Sequence, residues 1–170
     1  MTFLDLARER FSVVDYSQQP VEQEKIDRII AAALAAPTAC NRQPQRILII
    51  DNEESRQRLH NVIPGKFVSP LAFLICYDRN VCWVRPMDGK SSGDIDASIV
   101  TTHMMMEMTD LGLGSIWVMN WDPVKMRKEF NLADHLEPVA LLVAGYKGEN
   151  AIPRRGQLES RPMEEIFFTI

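Results

Sequence analysis

A chain of 170 residues has the length of one ordinary domain, and a single domain over 1–170 is expected. With 46% hydrophobic and 25% charged residues the composition is that of a globular protein. A net charge of −4 and a pI near 5.4 exclude a general nucleic-acid binder or a protein that seeks anionic membranes.

Residues 2–10 read as a short first helix. Residues 22–36 form an amphipathic helix, with Ile26, Ile29, Ile30, Ala33 and Leu34 on one face, stopped by Pro37. Arg46 to Ile50 is expected to be a strand buried on both faces. A polar helix over 53–61 follows, then a buried strand over Leu71–Tyr77. Residues 80–93 are rich in turn formers and read as a loop.

Asp94 opens the longest helix, to about Leu111. Its apolar residues surround most of its circumference, which predicts a core shared with a second subunit. Gly112-Leu113-Gly114 ends it. A short strand over 115–119, a helix over 122–130 capped by Asp122 and a buried strand over 139–146 complete the pattern. The chain closes on Glu-Ile-Phe-Phe-Thr-Ile, an apolar, β-prone end that needs a pairing partner, most economically a neighbouring subunit's sheet edge. The class is α+β: a small mixed β-sheet flanked by helices.

No run approaches the roughly 18 apolar residues of a membrane span. The beginning of the chain lacks the pattern of a signal peptide. Cys40, Cys76 and Cys82 are odd in number and show no CxxC spacing, so a reducing cytoplasm is the expected location and no metal site is expected. Phosphate-loop, dinucleotide and hydrolase-elbow motifs are absent. His103 lies mid-helix among methionines and reads as a core or interface histidine.

Three segments carry chemistry. Arg10-Phe11-Ser12 sets a guanidinium fork beside a hydroxyl, which suits a phosphate; equally, Arg10 complements a helix C-terminus. Pro37-Thr38-Ala39-Cys40-Asn41-Arg42-Gln43-Pro44 fixes donors and acceptors between two prolines, either to read a planar heterocycle or to satisfy its own turn. Gly112-Leu113-Gly114-Ser115-Ile116-Trp117 lets backbone approach a flat ligand, with Trp117 as a wall, or is a tight turn with a core tryptophan.

In order and spacing these segments, with Tyr16, Pro20-Val21, Ala144-Gly145-Tyr146 and Arg161-Pro162-Met163-Glu164-Glu165, resemble the nitroreductase/flavin reductase family. The resemblance spans nearly the whole chain. It implies a homodimer with exchanged carboxyl-terminal segments and FMN in the interface. It implies that Arg10, Phe11 and Ser12 contact the FMN phosphate end, with Arg161 adding charge. Pro37, Thr38, Ala39, Asn41 and Gln43 come from the other subunit. Trp117, Val118, Met119 and Asn120 pass the isoalloxazine ring, the Asn120 backbone lying near flavin N5. NADH or NADPH is the implied donor and a nitroaromatic, quinone or similar planar molecule the acceptor, in ping-pong turnover; no protein nucleophile, acid–base pair or metal is called for. The alternative is a module that stores, delivers or senses FMN without nicotinamide turnover.

The sequence departs from the family pattern where Val14 replaces a common basic residue, Gln45 an aromatic, Met119 an acid found in some relatives, and Glu159 a lysine. Fewer cations imply weaker phosphate binding, with Arg154 and Arg155 as candidate compensation. The loop Cys82-Trp83-Val84-Arg85, with Phe67, is a candidate lid, or Trp83 packs on the neighbouring subunit.

Overall fold

The computed structural model describes residues 2–63, 69–157 and 159–170. Thr2 caps α1 (Phe3–Glu9) through a capping box with Asp5. Helix α2 (Gln23–Ala35) ends where Ala36 turns extended ahead of Pro37. β1 (Gln45–Ile50) leads to α3 (Glu53–His60), which is capped by the Asn52 side chain. β2 (Leu71–Asp78) is buried at every position. Helix α4 (Gly93–Asp110) closes with Gly112 at φ 75° and the Leu113 N–H on the Met108 carbonyl at 2.8 Å, the hydrogen bond of a glycine-terminated helix. β3 (Gly114–Val118), α5 (Pro123–Glu129), with Asp122 accepting from two backbone N–H groups, and β4 (Leu136–Gly145) follow.

The four strands form one sheet in the order β1-β2-β4-β3. The α+β class is as expected; the sheet, expected to be mixed, is antiparallel at all its strand pairs, with one isolated parallel bridge, Ser12 to Ser115, beside β3. β4 begins three residues earlier than its apolar run suggests. Pro138, an unpromising residue for a central strand, sits where the register with β2 slips between Ile75 and Cys76, so no ladder hydrogen bond is demanded of it.

Helices α2 and α4 cover one face over Ile29, Phe73, Met104, Met108 and Leu142; α3 and α5 cover the other over Ile50, Leu74, Met126 and Leu141. β1 is not buried on both faces as its sequence suggests. It is an edge with one neighbour, and Ile49 is 39% exposed. Two other apolar surfaces are open: the α4 stripe through Ile95, and the tail with Ile166, Phe167, Phe168 and Ile170. No helix of the described residues is long and apolar enough to cross a membrane.

Candidate functional site

The chain leaves α1 at Arg10, whose N–H closes the helix on the Leu6 carbonyl at 3.1 Å while its backbone turns extended. Residues 11–17 then run along the sheet edge. Ser12 bridges Ser115, the Val13 N–H donates to the Ser115 carbonyl at 3.0 Å, and the Ser17 N–H donates to the Tyr146 carbonyl at 2.9 Å. The buried Tyr16 hydroxyl lies 2.8 Å from the Val13 carbonyl and 3.2 Å from that of Val143. Burial holds its phenol well above the ordinary tyrosine range, so it stays a neutral donor.

Gly114 permits this docking. A Cβ there would stand 2.7 Å from Val13 Cγ2, so the glycine serves the approach of the chain's own segment rather than of a ligand. Extended backbone sends Arg10 and Ser12 to one side and Phe11 to the other. Phe11 packs on the α3/α5 core with Lys147 Nζ 5.3 Å from its ring centroid. The half-buried Arg10 guanidinium and Ser12 hydroxyl have no side-chain partner among the described residues. Beside them the buried Ser115 Oγ also lacks one. Three unpartnered polar groups in one corner fit an oxyanion that completes their hydrogen bonds.

β3 carries this corner toward Trp117. Two strand residues span about 6.6 Å, so Trp117 follows Ser115 on the same face. Its Nε1–H donates to Met119 Sδ at 3.0 Å. Val118 is buried, whereas Met119 and Asn120 are exposed beyond the end of the strand. Trp117, Met119 and Trp121 line a cavity of about 460 Å³ with Asp94 and Ser98 of α4.

The loop before β1 is held by a residue that the sequence reading missed. Asp96, 1% exposed, accepts from the Ala39 N–H at 2.9 Å and from the Ser92 hydroxyl at 2.7 Å. Its signal was an acid in the first turn of α4, one helical turn ahead of the apolar Val100. Within the loop Thr38 Oγ1 accepts from the Gln43 N–H at 3.0 Å, and Cys40, Asn41 and Gln43 all take positive φ of 50–52°. Such angles cost a side-chain-bearing residue roughly 1–2 kcal/mol each, so the turn is set by its anchors. Pro37, Asn41 and Gln43 stand exposed, with Thr38 and Ala39 half-buried.

The structure brings Arg10, Phe11 and Ser12 to the strand that carries Trp117, Val118, Met119 and Asn120. It does not bring the Pro37–Gln43 loop to them. That loop enters β1, at the opposite edge of the sheet from β3, and three strand spacings amount to about 14 Å. Arg161 lies in the exposed tail, its guanidinium 3.4 Å from Glu165. Residues 83–92, read as loop, form a hairpin closed by a Val84–Ser91 bridge. Phe67 lies outside the described residues.

Comparisons with known proteins agree with this architecture. The model described as "Nitroreductase family" matches residues 7–72 and 66–146. A nitroreductase family protein of Clostridium difficile superposes with a TM-score of 0.93 at 42% identity, over 99% of this chain and 98% of its own. The FMN reductase [NAD(P)H] of Bacillus subtilis is 24% identical over 158 residues, 82% of this chain and 64% of that protein. A nitroreductase-like protein of Desulfovibrio desulfuricans, solved in complex with FMN, shares the fold with a TM-score of 0.82 at 23% identity, over 100% of this chain and 97% of its own. On the matched residues, the α+β order and the corner docked on β3, the chain belongs to the nitroreductase family.

Proposed function

We propose that residues 1–170 form one domain of a homodimeric, FMN-dependent NAD(P)H oxidoreductase acting on planar acceptors such as nitroaromatics or quinones. The observation that carries this reading is the Arg10–Ser12 corner, a guanidinium and a hydroxyl left unpartnered among the described residues beside the buried Ser115 Oγ, which likewise has none. The FMN reductase and the FMN-bound protein among the relatives support the choice of group.

FMN, when bound, supplies hydride acceptance from a reduced nicotinamide and delivery to a second substrate. The chain's own share is binding, orientation and partial exclusion of water. Arg10 and Ser12 hold the phosphate by charge-assisted hydrogen bonds, with Phe11 fixing the backbone between them. Trp117 to Asn120 would carry the ring edge, with the Asn120 backbone N–H as the donor on that side. Pro37, Thr38, Ala39, Asn41 and Gln43 of the partner subunit complete the site, because one chain holds them at the far edge of its sheet. Arg161 adds charge through the exchanged tail. The open α4 stripe and the uncovered β1 edge are the surfaces a second subunit and its apolar tail bury.

Steady-state oxidation of NADH or NADPH with a nitroaromatic or quinone, on protein whose mass in solution is measured alongside, tests the proposal. Turnover by a dimer is expected. Bound flavin without turnover would leave an FMN store or sensor in its place.

A further inference from the structure

We infer that the inner face of the Trp83–Ser92 hairpin is a subsite for planar aromatic acceptors that bear a carboxylate, with Trp83 as the stacking wall and Lys90 as the ionic anchor. This rests on the flavin reading above and names the acceptor class that site selects.

The hairpin is a built element. Val84 pairs with Ser91, the Ser92 N–H donates to the Trp83 carbonyl at 2.8 Å and the Arg85 N–H to the Lys90 carbonyl at 2.9 Å. Gly89, at φ 73°, closes the turn with its N–H on the Arg85 carbonyl at 2.9 Å. Alternation along a two-stranded ribbon puts Trp83, Arg85, Lys90 and Ser92 on one face and Val84 on the other. Those four line a cavity of about 300 Å³ with Ser91, Ala39 and the α4 residues Ile95, Asp96 and Ile99, so the cavity adjoins the α4 stripe that the proposed second subunit covers. Two anchors pin it to α4: Ser92 to Asp96 at 2.7 Å, and Ser91 to the Gly93 N–H at 3.0 Å.

Charge on that face is unevenly spoken for. Arg85 is closed on Asp88 by bonds of 2.7 and 2.6 Å, and both Asp96 oxygens are committed to Ala39 and Ser92. Lys90 bonds through its backbone alone, its N–H donating to Asp88 Oδ1 at 3.2 Å and its carbonyl accepting from Arg85, so among the described residues its ammonium is the cation left for a ligand. A cavity of about 150 Å³ already takes a benzene ring, so the space suits one substituted ring rather than a dinucleotide. Ala39 belongs to the loop assigned to the partner's flavin, which sets the cavity beside the flavin ring.

The test is equilibrium binding of 4-nitrobenzoate and its neutral analogue 4-nitrobenzamide to the full chain, read by quenching of tryptophan fluorescence. The wild type is expected to favour the carboxylate by about threefold to fivefold, the contribution of one exposed ion pair. Lys90→Gln should erase that ratio. Followed by titration calorimetry, Trp83→Ala should weaken both ligands by about threefold to tenfold, and Trp83→Phe should keep the ratio although most of the quenching is lost. Equal affinities in the wild type, or a ratio that survives Lys90→Gln, would overturn the inference. Protein that takes up FMN and is reduced by a nicotinamide, yet binds the two analogues equally, loses this subsite alone. Protein that takes up no FMN loses the flavin reading, and the fluorescence ratio is read independently of it.

Discussion

Replacing Arg10 by alanine separates a phosphate anchor from a helix-end residue. Arg10 is half-buried, its guanidinium has no partner among the described residues, and its backbone N–H keeps the bond to the Leu6 carbonyl when alanine replaces it. Folding loses only the interaction of a cation with the C-terminus of α1, about 0.3–1 kcal/mol. At 2–4 °C per kcal/mol for a domain of this size, Tm should fall by less than about 4 °C. Phosphate binding loses hydrogen bonds to a charged group at about 1.5–3 kcal/mol. That is roughly tenfold to more than hundredfold in FMN affinity. Riboflavin, which lacks the phosphate, should bind the variant as it binds the wild type. Flavin fluorescence titrations with both ligands, beside thermal melts of the flavin-free protein, give the numbers. Equal losses for FMN and riboflavin, or a variant that unfolds while FMN affinity holds, would refute the phosphate role.

Asp96→Ala leaves the Ala39 N–H without its acceptor; chemical denaturation should show a loss of about 1–3 kcal/mol, with FMN affinity falling as the Thr38–Gln43 loop loosens, whereas Asp96→Asn should recover part of both. Gly114→Ala puts a methyl 2.7 Å from Val13 Cγ2, so denaturation should register about 1–3 kcal/mol of overpacking, with flavin lost as residues 11–17 lift from β3. Alkaline stability should follow Cys76, whose thiol burial pushes from an ordinary 9.0 up to about 12. Its raised pKa leaves stability intact below pH 9, where thiol is neutral in both states. Between pH 9 and 12 only the unfolded chain ionises at Cys76, so this thiol lowers stability by up to about 1.4 kcal/mol per pH unit; Cys76→Ala should flatten the limb between pH 9 and 10, above which the buried Tyr16 phenol adds its own slope, and an unchanged slope there in pH-dependent urea titrations would remove Cys76 as its source. Native thiol labelling should mark exposed Cys40 and spare Cys76.

Elements whose periodicity is local were legible from the residues. The α2 stripe, the Asp122 cap and the Gly112 terminus all act within a turn of chain; the cap and the terminus lie where their patterns put them, and the stripe buries Ile26, Ile29 and Ala33 but leaves Leu34, expected on the same face, 68% exposed. Strand order was not legible. Apolar Arg46–Ile50 reads the same at an edge as in the centre, because residue types do not say how many neighbours a strand has. The start of β4 was hidden by Pro138, harmless only because a register slip falls there. In the candidate site, Arg10 and Ser12 were found through a resemblance that covers most of the chain. Asp96 was overlooked because its partners, Ala39 and Ser92, are distant or buried, and a carboxylate on a helix ordinarily reads as solvated. The left-handed turns at Cys40 and Gln43 carry no glycine to announce them, and the Trp83–Ser92 hairpin is short enough that turn formers mask its single bridge.

The central claim is that this chain holds FMN and that a nicotinamide reduces it. It is tested most directly by the visible spectrum of the protein after loading with FMN and gel filtration, recorded without oxygen before and after NADH or NADPH. The account predicts flavin bands that travel with the dimer and bleach with one or both donors. Flavin that separates from the protein on the column, or bands that neither donor bleaches, would contradict it.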